Sequence, residues 1–166
     1  MTDPAARDAV KAKALDLLAR REHSVKELGE KLARRPGADP ATVREVVQEL
    51  AARELVSDAR YAAAWARDAV RLDPRAERLV VTELVEKGVP AALAAAAVRG
   101  AFEEEDADDR SLARGLAERR MSRLDGLDDA ARWRRLAGYL QRRGFANELI
   151  YDVCAEILPE PGGTPG

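Results

Sequence analysis

Apolar residues recur along this chain at steps of three and four, without the strict alternation of strands, so the pattern predicts helices throughout. Val10, Ala14, Leu17 and Leu18 mark a first helix over residues 4–21, with Arg21 at its charged end. Ser24 opens a second helix, and Glu27 three positions on completes the spacing of a capping box. Val25, Leu28 and Leu32 form its stripe before Pro36-Gly37 breaks it. Asp39 caps a third helix whose first position is Pro40, where the missing N–H costs nothing. Val43, Val46, Val47 and Leu50 make its buried face.

The same reading continues. Ser57 or Asp58 starts a fourth helix, with Tyr61, Ala64, Trp65, Ala69 and Leu72 expected inward. Asp73-Pro74 reads as cap and first residue of a fifth, which turns Val80, Val81, Leu84 and Val85 inward. Leu79 falls opposite them, facing either a neighbouring repeat or a partner, or simply solvent. The sixth helix begins at Pro90 and is nearly all Ala, with Leu93, Val98 and Phe102 as its larger contacts. The acidic run 103–109 is expected to crowd the start of a seventh helix, where the helix dipole favours carboxylates. The alternative is metal binding, although the spacing matches no calcium loop. The seventh helix carries Leu112 and Leu116 towards Leu124, and Asp125-Gly-Leu-Asp128 is a turn and cap. Trp133, Leu136, Ala137 and Leu140 line the eighth, and Leu149, Ile150, Val153, Cys154 and Ile157 the ninth.

A larger period underlies these helices. Leu84, Lys87, Gly88 and Val89 return as Leu140, Arg143, Gly144 and Phe145, and in looser form as Leu32, Arg35, Gly37 and Ala38. A glycine can take the left-handed conformation that closes a helix, and a nearby cation suits the negative helix end. The expected fold is therefore all-α: three tandem three-helix repeats forming an elongated, curved array. Their expected bounds are 1–57, 58–102 and 103–158, with 159–166 a disordered tail rich in Pro and Gly.

Composition narrows the function. Of 166 residues 46% are apolar but only 4% aromatic, so Ala, Val and Leu must build thin cores that lean on neighbouring repeats. One Cys and one His rule out Cys/His metal sites and disulfide frameworks. Cys154 sits among core positions, and His23 stands just before a helix cap, where local packing competes with chemistry as its role. No phosphate loop, nucleophile elbow or paired-His motif occurs, so neither an enzyme nor a cofactor is expected. No run of 18 apolar residues spans a membrane, and Met1-Thr-Asp-Pro is not the start of a signal peptide. The expectation is a cytoplasmic monomer.

Net charge is −2, which argues against a protein that simply coats nucleic acid. The charge is unevenly placed: residues 110–144 hold ten Arg against four carboxylates. This stretch is either a solvated face or a binding surface. Arg135 and Arg142 lie opposite the Trp133–Leu140 stripe and lead the second reading, with Arg110, Arg114 and Arg123 in support.

Four motifs in order carry a resemblance. They are Leu17-Leu-Ala-Arg-Arg-Glu-His-Ser-Val-Lys-Glu-Leu-Gly-Glu-Lys-Leu32, Leu55-Val-Ser-Asp-Ala-Arg60-Tyr61-Ala-Ala-Ala, Glu83-Leu84 with Lys87-Gly88, and Tyr139-Leu-Gln-Arg-Arg-Gly-Phe145. Together they resemble the RecX family, bacterial regulators of the RecA recombinase, over about residues 10–158. The family's usual Gly-Pro and basic residues are replaced here by Asp73-Pro74-Arg75, so Arg75 and Arg78 are the matching candidates for partner contact. The resemblance implies three three-helix repeats that bind the RecA filament on DNA. It also implies suppression of ATP hydrolysis, strand exchange and co-protease activity, and so modulation of recombination, repair and the SOS response. No cofactor is implied, and single-stranded DNA within the filament is a further candidate contact. The rival is a helix-turn-helix-like DNA-binding protein, although the third helix of each repeat lacks the Arg, Asn and Gln that read base edges.

Overall fold

The structure, a computed structural model, describes residues 4–159. Among them are nine α-helices and one 3-10 turn, with no strand. The helices are α1 (Pro4–Arg20), α2 (Val25–Ala33), α3 (Pro40–Ala52), α4 (Asp58–Arg71), α5 (Glu77–Glu86), α6 (Ala91–Glu104), α7 (Asp109–Met121), α8 (Asp129–Arg142) and α9 (Asn147–Ile157). The 3-10 turn is Ser122–Leu124. All but the first residue of the tail expected at 159–166 lie outside the described residues.

The chain forms two compact units. One takes in the chain up to Trp65 together with Glu83–Ala97; the other takes in Ala66–Thr82 and the chain from Val98 onward. The middle repeat is thus shared between them, as expected where an Ala-rich unit has too few large side chains to close a core alone. In the first unit, Val10, Ala14, Leu28, Leu32, Val43, Val46, Val47, Leu50 and Val56 form one buried cluster. In the second, Leu116, Leu124, Leu136, Leu140, Phe145, Ile150, Val153 and Cys154 form another. Cys154 is a core thiol, and burial pushes its pKa up to about 11.

Helix starts follow side-chain chemistry. Asp39 accepts from Thr42 N at 2.8 Å and Asp128 from Ala131 N at 2.7 Å. Asp108 and Ser111 complete a full capping box on α7. At α2 only half of the expected box forms. Ser24 accepts from Glu27 N, but the Glu27 carboxylate turns to Arg21 and Lys31 instead. Burial disfavours its charge, yet the bonds from Arg21 and Lys31 win and hold its pKa down at about 2. Ionised Glu27 therefore stabilises the fold above the ordinary carboxylate pKa of about 4.5, and that contribution fades as pH falls towards 2. Glu27→Gln is expected to cost about 1–2 kcal/mol at pH 7, allowing for solvent screening, and to flatten the acid side of a stability-against-pH curve between those values. Urea titrations at pH 7 and pH 3 check this.

Helix stops fall into two kinds. Gly88 and Gly144 have φ of 90° and 84°, and both close Schellman motifs. Val89 N donates to Leu84 O at 3.0 Å and Gly88 N to Val85 O at 2.9 Å; Phe145 and Gly144 repeat the pattern onto Leu140 and Gln141. Gly37 differs. It is the left-handed third residue of an Arg35–Ala38 turn that follows α2, with Pro36 at the second position. Two further Schellman motifs, not marked by glycine, use Glu54 (φ 55°) after α3 and Asp106 (φ 48°) after α6. A Cβ at such a position costs about 1–2 kcal/mol, partly offset by the lower unfolded-state entropy of a non-glycine residue. Glu54 is exposed and its carboxylate pairs with no described residue. Glu54→Gly is therefore expected to raise stability by about 0.5–1 kcal/mol, read by chemical denaturation.

Several expectations fail locally. Pro74 does not start α5, which begins three residues later at Glu77. Asp73 instead binds Arg75 and Arg143. Leu72 lies past the end of α4 and is 76% exposed, while Val85 is also exposed. The inward face of α4 is rotated to Tyr61, Ala62, Ala66, Ala69 and Val70. Of the acidic run, only Asp108 and Asp109 serve the start of α7; Glu103 and Glu104 end α6, and Glu105 pairs with Arg71.

Candidate interaction surface

The joints between successive repeats share one construction. Where the first repeat meets the second, the Asp58 side chain at the start of α4 accepts from Val25 N at 2.9 Å. Ser24 Oγ donates to Lys87 O at 2.6 Å, and Lys26 Nζ donates to Glu86 O at 3.1 Å. Where the second meets the third, Asp109 at the start of α7 accepts from Glu77 N at 2.8 Å. Ala76 N donates to Arg143 O at 2.9 Å, and Arg78 Nε donates to Gly144 O at 2.5 Å. In each joint a carboxylate caps the preceding repeat's second helix, and that helix's first turn covers the carbonyl end of the next repeat's second helix. The glycines permit the approach. A Cβ on Gly88 would stand 2.5 Å from Lys26 Cβ, and one on Gly144 would stand 2.6 Å from Leu79 Cβ. Gly37, in the first repeat, meets nothing within 4 Å. Leu79 thus faces the neighbouring repeat.

This construction sorts the candidate arginines. Arg78 is committed to the joint through Gly144 O. The Arg75 side chain is only 11% exposed and donates to Asp73 through both the carbonyl and the carboxylate. Arg75 thereby holds the turn before α5. Arg110 and Arg114 stand together on α7 and share Glu156 of α9, while Arg110 also reaches Asp152 and Arg114 reaches Glu118. Their charge is largely answered. Arg123 is exposed on the 3-10 turn. Arg135 and Arg142 are exposed on α8, and neither pairs with any described residue. Two turns of helix separate them, so both project from one face, away from buried Leu136 and Leu140. Gly138 between them leaves the surface open, and a Cβ there would stand 3.4 Å from the Arg142 guanidinium.

One group of basic residues escaped the sequence reading, which took Arg143 only as a cation at a helix end. Arg120 and Arg143 lie over the Tyr139 ring at 4.7 and 5.4 Å from its centroid. Arg143 donates to Asp73 and to Pro74 O, and the Asp73 bond raises its pKa. No hydrophobic period reports such a cluster, since α7, α8 and the turn after α4 contribute separately. His23 proves local: it is buried, and burial lowers its pKa. Its Nδ1 lies 3.0 Å from Arg21 O, and Lys31 Nζ approaches Nε2 at 3.1 Å. Neutral imidazole satisfies both contacts, donating at Nδ1 and accepting at Nε2. No group of three or more His, Cys, Asp or Glu able to hold a metal occurs among the described residues. No described helix is long and apolar enough to cross a membrane.

Comparison with known proteins agrees with this architecture. Three family models match in order: the first three-helix domain of RecX over residues 11–50, the second over 57–98 and the third over 108–154. The regulatory protein RecX of Halorhodospira halophila is 37% identical over 151 residues, covering 91% of this chain and 89% of the relative. That of Amycolatopsis mediterranei is 34% identical over 147 residues, covering 89% and 82%. Among solved structures, RecX from Lactobacillus salivarius superposes with a TM-score of 0.68 at 18% identity, covering 92% of this chain and 97% of that one. A further crystal structure of regulatory protein RecX gives 0.70 at 18% identity, covering 91% and 72%. The chain belongs to the RecX family of regulatory proteins.

Proposed function

We propose that this protein binds the RecA recombinase filament on DNA, as a monomer in the cytoplasm, and lowers its ATPase, strand-exchange and co-protease activities. Recombination, repair and the SOS response would be restrained accordingly. What carries the reading is family membership over all three domains, whose relatives are named regulatory proteins. The unpaired, outward Arg135 and Arg142 support it as a surface held at no cost to the core. Three repeats in series suit a polymeric partner, because modest contacts at separate repeats add through effective concentration. The protein acts by binding and itself hydrolyses nothing.

Direct sequence reading of DNA is the poorer account. In the third repeat the third helix, α9, carries no basic residue and exposes Glu148, Asp152 and Glu156, which offer a phosphate backbone no cation. The deciding experiment is ATP hydrolysis by RecA on single-stranded DNA. Sub-stoichiometric protein is expected to slow it, with a mobility shift on RecA-coated DNA and little on free DNA. An unchanged hydrolysis rate and filament length at equimolar protein would overturn the proposal, and a shift on free DNA alone would favour the helix-turn-helix alternative.

A further inference from the structure

Arg143 and the Tyr139 ring beneath it border an open cleft of about 470 Å³ within the second compact unit. Val70 and Arg71 at the end of α4, and the turn Leu72-Asp73-Pro74, form one wall. Gly115 and Arg119 of α7 contribute to a second, and Tyr139 of α8 with Arg143 just past its end to a third. Three guanidinium groups therefore meet a single lining carboxylate, Asp73. Arg143 answers Asp73, and Arg71 donates to Glu105, which lies outside the lining, at 2.7 Å. Arg119 is exposed and has no ion-pair partner among the described residues. It lies beside Gly115, where a Cβ would stand 3.6 Å from its terminal nitrogen. Stacking on Tyr139 and the bond to Asp73 hold Arg143 in place before any ligand arrives. On the same rim stands Leu72, the most exposed large apolar side chain of the described residues. Isolated exposed leucines are ordinary, but this one lines the same concave cleft as the unanswered Arg119.

We propose that this cleft seats a short acidic peptide segment of a partner protein, with one apolar side chain of that segment packed against Leu72 and a carboxylate on Arg119. A bidentate carboxylate suits the planar guanidinium, and the apolar contact separates this ligand from a bare anion. The surface is distinct from the Arg135–Arg142 face, and its test uses the protein alone, so it stands or falls apart from the filament reading.

The probe is a labelled pentapeptide, Glu-Glu-Leu-Glu-Glu with blocked ends, titrated into the ¹⁵N-labelled full chain. Amide resonances of Leu72, Gly115 and Arg119 are expected to move together. Arg119→Glu is expected to weaken binding at least tenfold at unchanged Tm, as for loss of a charge-assisted bond. Leu72→Ser, or Ser in place of the peptide's Leu, should each weaken it about fivefold. Absent shifts, or shifts confined to Arg135 and Arg142, would overturn the proposal. So would equal affinity for the Leu-free peptide, which would mean plain ion pairing, or displacement by an oligothymidylate of equal charge, which would mark a phosphate site.

Discussion

Gly144→Ala is expected to cost about 2–3 kcal/mol of stability, and Gly88→Ala a similar amount, whereas Gly37→Ala costs about 0.5–1 kcal/mol. All three glycines have positive φ, so each substitution carries the strain of a left-handed Cβ. What separates them is space. Gly144 and Gly88 are pressed against Leu79 and Lys26 of the preceding repeat, and Gly37 is open. The added Cβ must move backbone, because the atom it meets is itself a Cβ. Leu79→Ala therefore brings no rescue of Gly144→Ala, while Leu79→Gly restores part of the loss. Urea denaturation of the three single variants and the two doubles checks this. Equal losses at Gly37 and Gly144 would show that conformation alone, and not the joint, sets the cost. The expected loss at Gly144 is a large share of the roughly 5–15 kcal/mol that holds a domain folded.

The glycine stops were legible in the sequence because they recur with the repeat, beside Leu84 and Leu140 at matched distance. What they press against was not. Leu79 stood out only as an apolar residue on the wrong side of its helix, and Lys26 gave no signal, since its contact is made through Cβ. Periodicity describes one helix at a time, whereas a joint is made by three segments from two repeats. The Glu54 and Asp106 stops were invisible for the opposite reason: the backbone there takes the glycine conformation without glycine. Leu72 was placed inward by extending the α4 stripe one residue past the helix end, where the wheel no longer applies. The acidic run was read as one signal although it holds two, the end of α6 and the cap of α7.

The candidate surface shows the same division. Arg135 and Arg142 could be placed outward from the Trp133–Leu140 stripe alone, because both lie within one regular helix. Arg75, Arg78, Arg110 and Arg114 could not be sorted that way. Whether a cation is free depends on carboxylates and carbonyls from other elements, here Asp73, Gly144, Asp152 and Glu156. Net charge by segment counts arginines without asking which are already answered.

The double substitution Arg135→Glu with Arg142→Glu is accordingly expected to leave Tm unchanged and to weaken inhibition of the RecA ATPase at least tenfold. Neither side chain pairs with a described residue, and exposed positions of this kind usually change stability by less than about 0.5 kcal/mol. Loss of a charge-assisted contact costs about 1.5–3 kcal/mol, and every 1.4 kcal/mol or so is a factor of ten in affinity. Reversal of sign adds repulsion to the loss, so Arg→Gln at both sites should fall between wild type and the double Glu variant. Raising salt from about 0.1 M to 1 M shortens the screening length from about 10 Å to 3 Å, and should erode wild-type inhibition more steeply than that of the variant. Matched charge reversal at Arg110 and Arg114 serves as the control. These arginines already spend their charge on Glu118, Asp152 and Glu156, so reversing them should lower Tm while affecting inhibition less. Full inhibition by the Arg135/Arg142 variant would return this face to ordinary solvated surface. A fall in its Tm would instead mean that the two side chains support the fold of the third repeat.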